Sequence, residues 1–430
     1  MNGLARIFAG LLLWTGFMTP PAHLAAQAPL FEVDGADPKL FQVNDDGGLL
    51  MGGRFGTGVI PASGPGGRLM WYPRTASVRA GLVGGSQWDD AQIGRASAAF
   101  GENTTASGAH AIASGLETIA GGSVSAAFGS QTQATGSHSF AAGVRSRATG
   151  ERTVALGEAT TASGLVATSL GYATVSSGVA STAMGHTTTA SGEAATAMGA
   201  GTISSAGFST AMGYQTRATA NYSTSMGFQT QATGISSTAM GAASIAAGLG
   251  SVAMGTRAVA QGGGSFAFAD RSSTDSYTAG ENQFVVRAHG GIGFNSGSGI
   301  GCDLPAGVGA WACTSSRLAK EGFERVDGET VLAKLARIPI QRWSYLGTPA
   351  AHVGPTAEDF YGAFGLGQGP TTITTVDADG IALLGVQTLE RRTAELRAEN
   401  AQLLRRVEAL ERLLATWVSL PPSSSGETTP

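Results

Sequence analysis

A chain of 430 residues with 65 glycines, only 13% charged residues and a formal charge of −4 departs from ordinary globular composition, in which about a quarter of residues are charged. Small side chains on this scale leave either low-complexity disorder or a repeat architecture. The near-neutral charge, with no polybasic run, excludes a nucleic-acid footprint and a patch for anionic membranes.

In chain order, MNGLARIFAGLLLWTGFM places Arg6 before an apolar run from Ile7 to Met18, and small residues follow to Ala26. That is the pattern of a cleaved export signal over 1–26. The run is too short to span a bilayer, and no later stretch of about twenty apolar residues occurs. The mature chain is therefore expected outside the cytoplasm, extracellular or at the cell surface, without a transmembrane segment. Its two cysteines, Cys302 and Cys313, are expected either to bond in an oxidising compartment or to remain buried thiols. Residues 27–93 alternate apolar stretches with Gly and Asp, which predicts an N-terminal β cap or tip module. Trp71, Tyr72 and Trp88 there read as core or as a glycan-stacking surface.

From Gly94 to Gly262, glycine stands at every seventh position except Ala206 and Ala220. A heptad of this composition is no helix, since each Gly costs about 1 kcal/mol relative to Ala and the other positions are rich in Ser and Thr. STAMG-type and TASG-type halves alternate, so the unit is fourteen residues. Met184, Met198, Met212, Met226, Met240 and Met254 precede successive glycines, with Thr or Val two positions earlier. In a strand these residues share a face, which predicts that the larger groups point inward while glycine supplies the turn. The fold class expected over 94–269 is a mainly β parallel β-roll of 14-residue coils. So thin a coil has little core of its own, which argues for packing against identical chains.

These repeats resemble the heads of trimeric autotransporter adhesins of the YadA and Hia type. The resemblance implies a trimeric left-handed parallel β-roll and an adhesive role towards a host-surface or glycan receptor that the repeats do not specify. Those adhesins end in a membrane-barrel anchor, whereas this chain ends in a charged helix and SLPPSSSGETTP, so an anchor of that kind is not expected.

Beyond 270 the glycine count stops. ENQFVVRAHGGIGF reads as a strand pair closing the roll, within closing strands and linker over 270–310. Val331, Leu332, Leu335 and Ile338 then follow a helical period. GVGAWACTSSRLAKEGF, AHVGPTAEDFYGAFGLG and TTVDADGIALLGVQTLERR, in this order, resemble the C-terminal intramolecular chaperone domain of phage endosialidases and tail spikes, a self-cleaving peptidase family. The resemblance implies a small α+β chaperone domain over 311–385 with a Ser-Lys dyad at Ser315 and Lys320. Ser316 stands where the family has Asp, His352 matches a recurring family position, and Glu358 stands where Gln is usual. A serine hydroxyl needs a neutral amine to take its proton, and lysine serves only where burial lowers its pKa. Two alternatives stay open: self-cleavage at Ser315 or Ser316, or a chaperone and trimerisation role in which these serines merely cap the next helix.

Over 386–416, Leu389, Leu396, Leu403 and Leu410 recur at seven, with Val386, Thr393, Asn400, Val407 and Leu414 between them. This heptad predicts a coiled coil, with Asn400 setting register; trimer rather than dimer follows from the two resemblances. Residues 417–430 read as a disordered tail.

The function expected is an exported trimeric surface fibre whose C-terminal domain drives in-register folding, with at most a Ser-Lys self-cleavage in cis. The alternatives are a prophage tail fibre or spike and a polysaccharide-acting spike. The repeat has no Asp, and Glu102, Glu117, Glu151, Glu158 and Glu193 form no repeated close pair, whereas glycosidases use paired carboxylates. His110, His138 and His186 are isolated in sequence, so no metal or cofactor is expected.

Overall fold

The computed structural model describes residues 29–33, 41–44, 47–272, 274–297 and 299–418, and these form two compact units that divide between Cys313 and Thr314. The export signal expected over 1–26, and most of the tail expected over 417–430, lie outside the described residues.

The first unit is a parallel β-solenoid. Each 14-residue coil contributes one long strand, such as Thr182–His186, and one short strand, such as Thr189–Ala190. Long strands stack into a 16-stranded sheet and short strands into a 13-stranded sheet. Pairing is in register, with Thr182 opposite Thr196, Met184 opposite Met198 and Gly185 opposite Gly199. The parallel ladder runs from Ser77–Val83 to Phe284–Arg287, beyond both ends of the repeat marked by glycine.

Inside, the sequence expectation is reversed. The residues that point into each coil are the small ones: Ala183 and Ala190 are fully buried, while Thr182, Met184 and Thr189 are half-buried on the outer faces. Two opposing sheets so close together leave room for a methyl or a hydroxymethyl group but not for methionine. Four buried rows fill the interior: Ala183 and its equivalents on the long strands, Ala190 and its equivalents on the short strands, and Thr188 and Ser181 with theirs at the two corners. The corner serines donate to the carbonyl three residues back, as Ser181 Oγ does to Gly178 at 2.7 Å.

Nor do the counted glycines occupy the tight left-handed turns. Those fall two residues later, at Gln131, Ala173, Thr187 and Gln215 on one edge and His110, Val166, Phe208 and Tyr222 on the other, all with φ between 53° and 60° except Ala173 at 50°. The glycines serve coil-to-coil approach instead. A Cβ on Gly185 (φ +116°) would sit 2.1 Å from the Gly199 carbonyl oxygen, and one on Gly178 would sit 1.9 Å from that of Gly192. Glycine is favoured in both rows because backbone passes over backbone there, and Ala206 and Ala220 are the exceptions.

Both ends are closed by enlarged coils. At the N-terminal end, the fully buried Trp88 donates its indole N–H to the Thr104 carbonyl at 2.8 Å. Arg79, also fully buried, donates to the carbonyls of Val78, Ser97 and Ala106 and to the Ser97 hydroxyl; burial lowers its pKa to about 10. Tyr72 is buried and bonded to Asp90 at 2.7 Å, while Trp71 is half-buried, so two of the three aromatics serve as core. Leu49–Met51 closes a three-stranded antiparallel sheet, and Leu49 and Met51 line a cavity of about 220 Å³ with Leu69, Met70, Trp71 and Val78.

At the other end, Phe284–Arg287 extends the parallel ladder, whereas Gly291–Gly297 pairs antiparallel with Ile300–Pro305 in a separate sheet. The segment 281–294 is thus not a closing strand pair. Its first half completes the solenoid and its second opens a new sheet, in which Cys302 faces Cys313 and is joined to it by a disulfide.

The second unit contains three helices among the described residues: α1 (Gly328–Leu335), α2 (Ala357–Phe364) and α3 (Thr375–Val418). Asp327 and Thr356 cap α1 and α2 through the backbone N–H groups of Thr330 and Asp359. Val331, Phe360 and Ile381 form a small buried core, with Leu335, Ile338, Phe364 and Leu384 around it. Gly328 lets α1 approach α3, since a Cβ there would lie 2.0 Å from Thr388 Oγ1. Glu329 pairs with Arg392 and with Arg391, and these pairings hold its carboxyl below the usual range.

Candidate functional site

Three places in the molecule carry side chains that its own fold leaves unused. The first is the outer face of the 16-stranded sheet. Met184, Met198, Met212, Met226, Met240 and Met254 stand on adjacent rungs in register, flanked by Thr182, Thr196, Thr210, Thr224, Thr238 and Val252. Leu170 and Leu156 continue the methionine column towards the N-terminal end, Ala142 interrupts it, and Phe128 stands on the rung beyond. The methionines of the column are half-buried within the described residues. A row of apolar side chains left partly exposed on successive rungs is a candidate interaction face.

The second is α3. Over 386–414 its heptad stripe stays exposed: Leu389 at 53%, Leu396 at 58%, Leu403 at 47%, Val407 at 48% and Leu410 at 65% of full accessibility. Asn400 lies within the same stripe and is also exposed. A 44-residue helix that leaves a regular leucine seam in water has the pattern of a coiled-coil strand. No helix among the described residues is long and apolar enough to cross a membrane.

The third is Ser315. Lys320 Nζ donates to Ser315 Oγ at 2.7 Å across the turn formed by Arg317–Ala319. Ser316 points elsewhere and accepts from the Leu318 N–H at 3.2 Å, capping that turn. Both members of the Ser-Lys pair are exposed, so the single chain does not strip water from the amine. His352 joins neither. Its ring packs on Trp343 (centroids 4.9 Å apart) and against Tyr345 (5.6 Å) on the hairpin of Gln341–Ser344 and Ala351–Gly354. Glu358 lies in the first turn of α2.

Some features escaped sequence reasoning. His186 is not isolated: its ring stacks on Tyr172 with centroids 5.0 Å apart and 10° between planes. Tyr214 stacks on Phe228, and Phe208 on Tyr222, each pair at 5.3 Å and 7°. The fourteen-residue spacing of each pair was the available signal, because positions one period apart lie on adjacent rungs. Arg145 pairs with Glu158 at 2.7 Å and Gln131 donates to Glu117 at 2.9 Å, so these two carboxylates hold rungs together. No group of three or more metal-ligating side chains occurs among the described residues.

With coil geometry established, the comparison with known families is specific. Residues 93–118, 148–174, 176–202, 204–230 and 232–258 match the YadA head domain repeat. The matched segments make up about a third of the chain, and the unmatched stretch between the first two keeps the same strands and register. The class these observations define is a parallel β-solenoid whose coils are similar, over the matched segments, to the YadA head domain repeat. No curated protein matches the chain.

Proposed function

We propose that the chain is an exported, surface-displayed fibre that works as a homotrimer, with the solenoid as its shaft or head and residues 311–416 as the element that starts trimer assembly in register. The observation that carries this is the partly exposed apolar column on the 16-stranded sheet, unbroken over the six methionine coils. Similarity to the YadA head repeat supports a trimer and a surface location. The exposed heptad of α3 supports a second, independent seam in the same assembly.

A repetitive solenoid needs such a start. Neighbouring coils are so alike that chains could associate one or more coils out of step with little penalty, and parallel pairing is slow to nucleate. Bringing three copies of α3 level removes that ambiguity, after which the shafts pack towards their N-terminal ends. Light scattering tests this: the full chain is expected to have three times the monomer mass, and a chain lacking 311–430 to aggregate or misassemble. Regular soluble trimers from the truncated chain would refute the clamp.

The bond between Lys320 and Ser315 favours one addition, a single self-cleavage beside Ser315. In that step Lys320 takes the hydroxyl proton, Ser315 Oγ attacks a neighbouring peptide carbonyl, the peptide C–N bond breaks as Lys320 returns the proton to the leaving amine, and water then hydrolyses the ester left on Ser315. Assembly would have to cover the pair, which the single chain leaves exposed. Intact mass of the assembled protein tests it, with Ser315→Ala and Lys320→Ala both expected to remain uncut. An uncut wild-type chain removes the protease claim, and cleavage that survives Ser315→Ala but stops in Ser316→Ala moves the nucleophile by one residue.

A further inference from the structure

We propose that one edge of the solenoid carries a binding notch for a single neutral pyranose, one coil wide, between the rings of His186 and Tyr214. Position 186 and its equivalents form a column at the end of the long strands, reading Tyr172, His186, Ala200, Tyr214, Phe228 on successive rungs. Tyr172 and His186 make one stacked pair, Tyr214 and Phe228 another. Ala200 leaves the rung between them empty of a ring. The adjacent turn column is interrupted on the same rung, where Gly201 (φ +64°) stands between Thr187 and Gln215.

Dimensions and chemistry follow from the ladder. Rungs lie about 4.8 Å apart, so His186 and Tyr214 face each other across two rungs, roughly 9.6 Å, and a ring needs about 3.5–4 Å to each wall. One ring fits and two do not. Within each pair the inner faces are covered by the partner ring; the faces turned towards Ala200 are open. Ala200 and Gly201 form the floor. Gln215 lines one side, since a Cβ on Gly201 would lie 3.4 Å from its Cγ. The Thr187 hydroxyl, 3.0 Å from His186 Nδ1, and Gln215, bonded to Gln229 at 2.9 Å, place polar groups at the rim.

Aromatic faces are electron-rich and attract the weakly positive C–H groups of a sugar ring, while the rim groups bond its hydroxyls. Two facing walls add a selection rule: both faces of the guest must present C–H groups. A pyranose with all substituents equatorial, of β-gluco configuration, does so, whereas an axial hydroxyl would turn a polar group into a wall. Neither column carries Asp, Glu, Lys or Arg between residues 172 and 229, which fits a neutral sugar rather than a uronic or sialic acid. The notch gives the fibre proposed above a receptor chemistry, and it is built from a single chain.

The test is saturation-transfer NMR on the full chain with methyl β-glucopyranoside and methyl β-galactopyranoside. Expected is transfer to the glucoside at a Kd on the order of 1 mM, with binding weakened about tenfold or more in Ala200→Tyr. That variant continues a column that already holds Tyr and Phe on neighbouring rungs, so it keeps the fold. Ala242→Tyr, which fills a different small rung of the column, should bind as wild type. No transfer to the glucoside, equal transfer to the galactoside, or an unaltered Ala200→Tyr each overturns the proposal. Light scattering on the same samples reads the trimer separately, so either claim can fail alone.

Discussion

Thr174 and Thr188 occupy the same corner of adjacent coils and are equally buried, yet their surroundings differ by one atom. Ser169 faces Thr174 and their hydroxyls pair at 2.8 Å; Ala183 stands in the place of Ser169 for Thr188, whose hydroxyl has no hydrogen-bond partner. Ser225 and Thr230 repeat the paired arrangement at 2.8 Å. A buried hydroxyl without a partner gains nothing from being polar, whereas removing half of a buried pair strands the other half. Thr188→Val is therefore expected to change stability by less than about 0.5 kcal/mol or to raise it, and Thr174→Val to lower it by about 1–3 kcal/mol. Thermal melts of the two variants check this, and equal losses would show that the corner hydroxyls do not act through pairing.

At the scale of the element, two glycine rows with the same period carry different constraints. Gly185 combines a left-handed φ with the carbonyl of Gly199 at 2.1 Å from an added Cβ; Gly178 has the close carbonyl without the left-handed φ. The row of Gly178 already contains Ala206 and Ala220, while that of Gly185 holds glycine from Gly101 to Gly255. Gly185→Ala should cost more than about 2 kcal/mol through backbone strain and coil displacement together, and Gly178→Ala clearly less. Comparing their denaturation midpoints decides it. On α3 the exposed leucine seam gives a parallel expectation: Leu396→Lys places a charge in the seam and should abolish association through that helix, while leaving the α1–α2–α3 core around Phe360 intact. Circular dichroism with light scattering separates the two effects.

For the whole molecule, a thin solenoid whose interior is alanine, serine and threonine buries little apolar area per residue within one chain, so much of its stability is expected to come from the faces it shares with other copies. Stability then depends on chain concentration. The apparent melting temperature of the full chain should rise across a hundredfold dilution series read from dilute to concentrated, and should do so less steeply if a covalent or very tight seam at α3 holds the copies together. A concentration-independent melt of a protein that light scattering finds monomeric would remove the shared-core account. The ends belong to this scale too: Arg79 and Trp88 donate to the carbonyls of Ala106 and Thr104 beside the first short strand, and at the other end Arg287 lies over Tyr277 and donates to the Asp275 carbonyl, so these groups are taken up within the chain rather than left for a further strand.

The sequence by itself determined the period, the coil length, the parallel register and the position of the long helix, because each follows from spacing: glycine at sevens, methionine at fourteens, leucine at sevens. It also placed Ser315 five residues before Lys320, close enough for contact. What only the tertiary structure decided was the direction in which side chains point and which of them meet. Periodicity says that Ala183 and Met184 lie on opposite faces but not which face is inside; the narrow gap between the two sheets made that choice and turned methionine outward. The same stacking gave glycine its role as a contact between coils and paired His186 with Tyr172, since residues fourteen apart become neighbours only when the chain has closed a full turn.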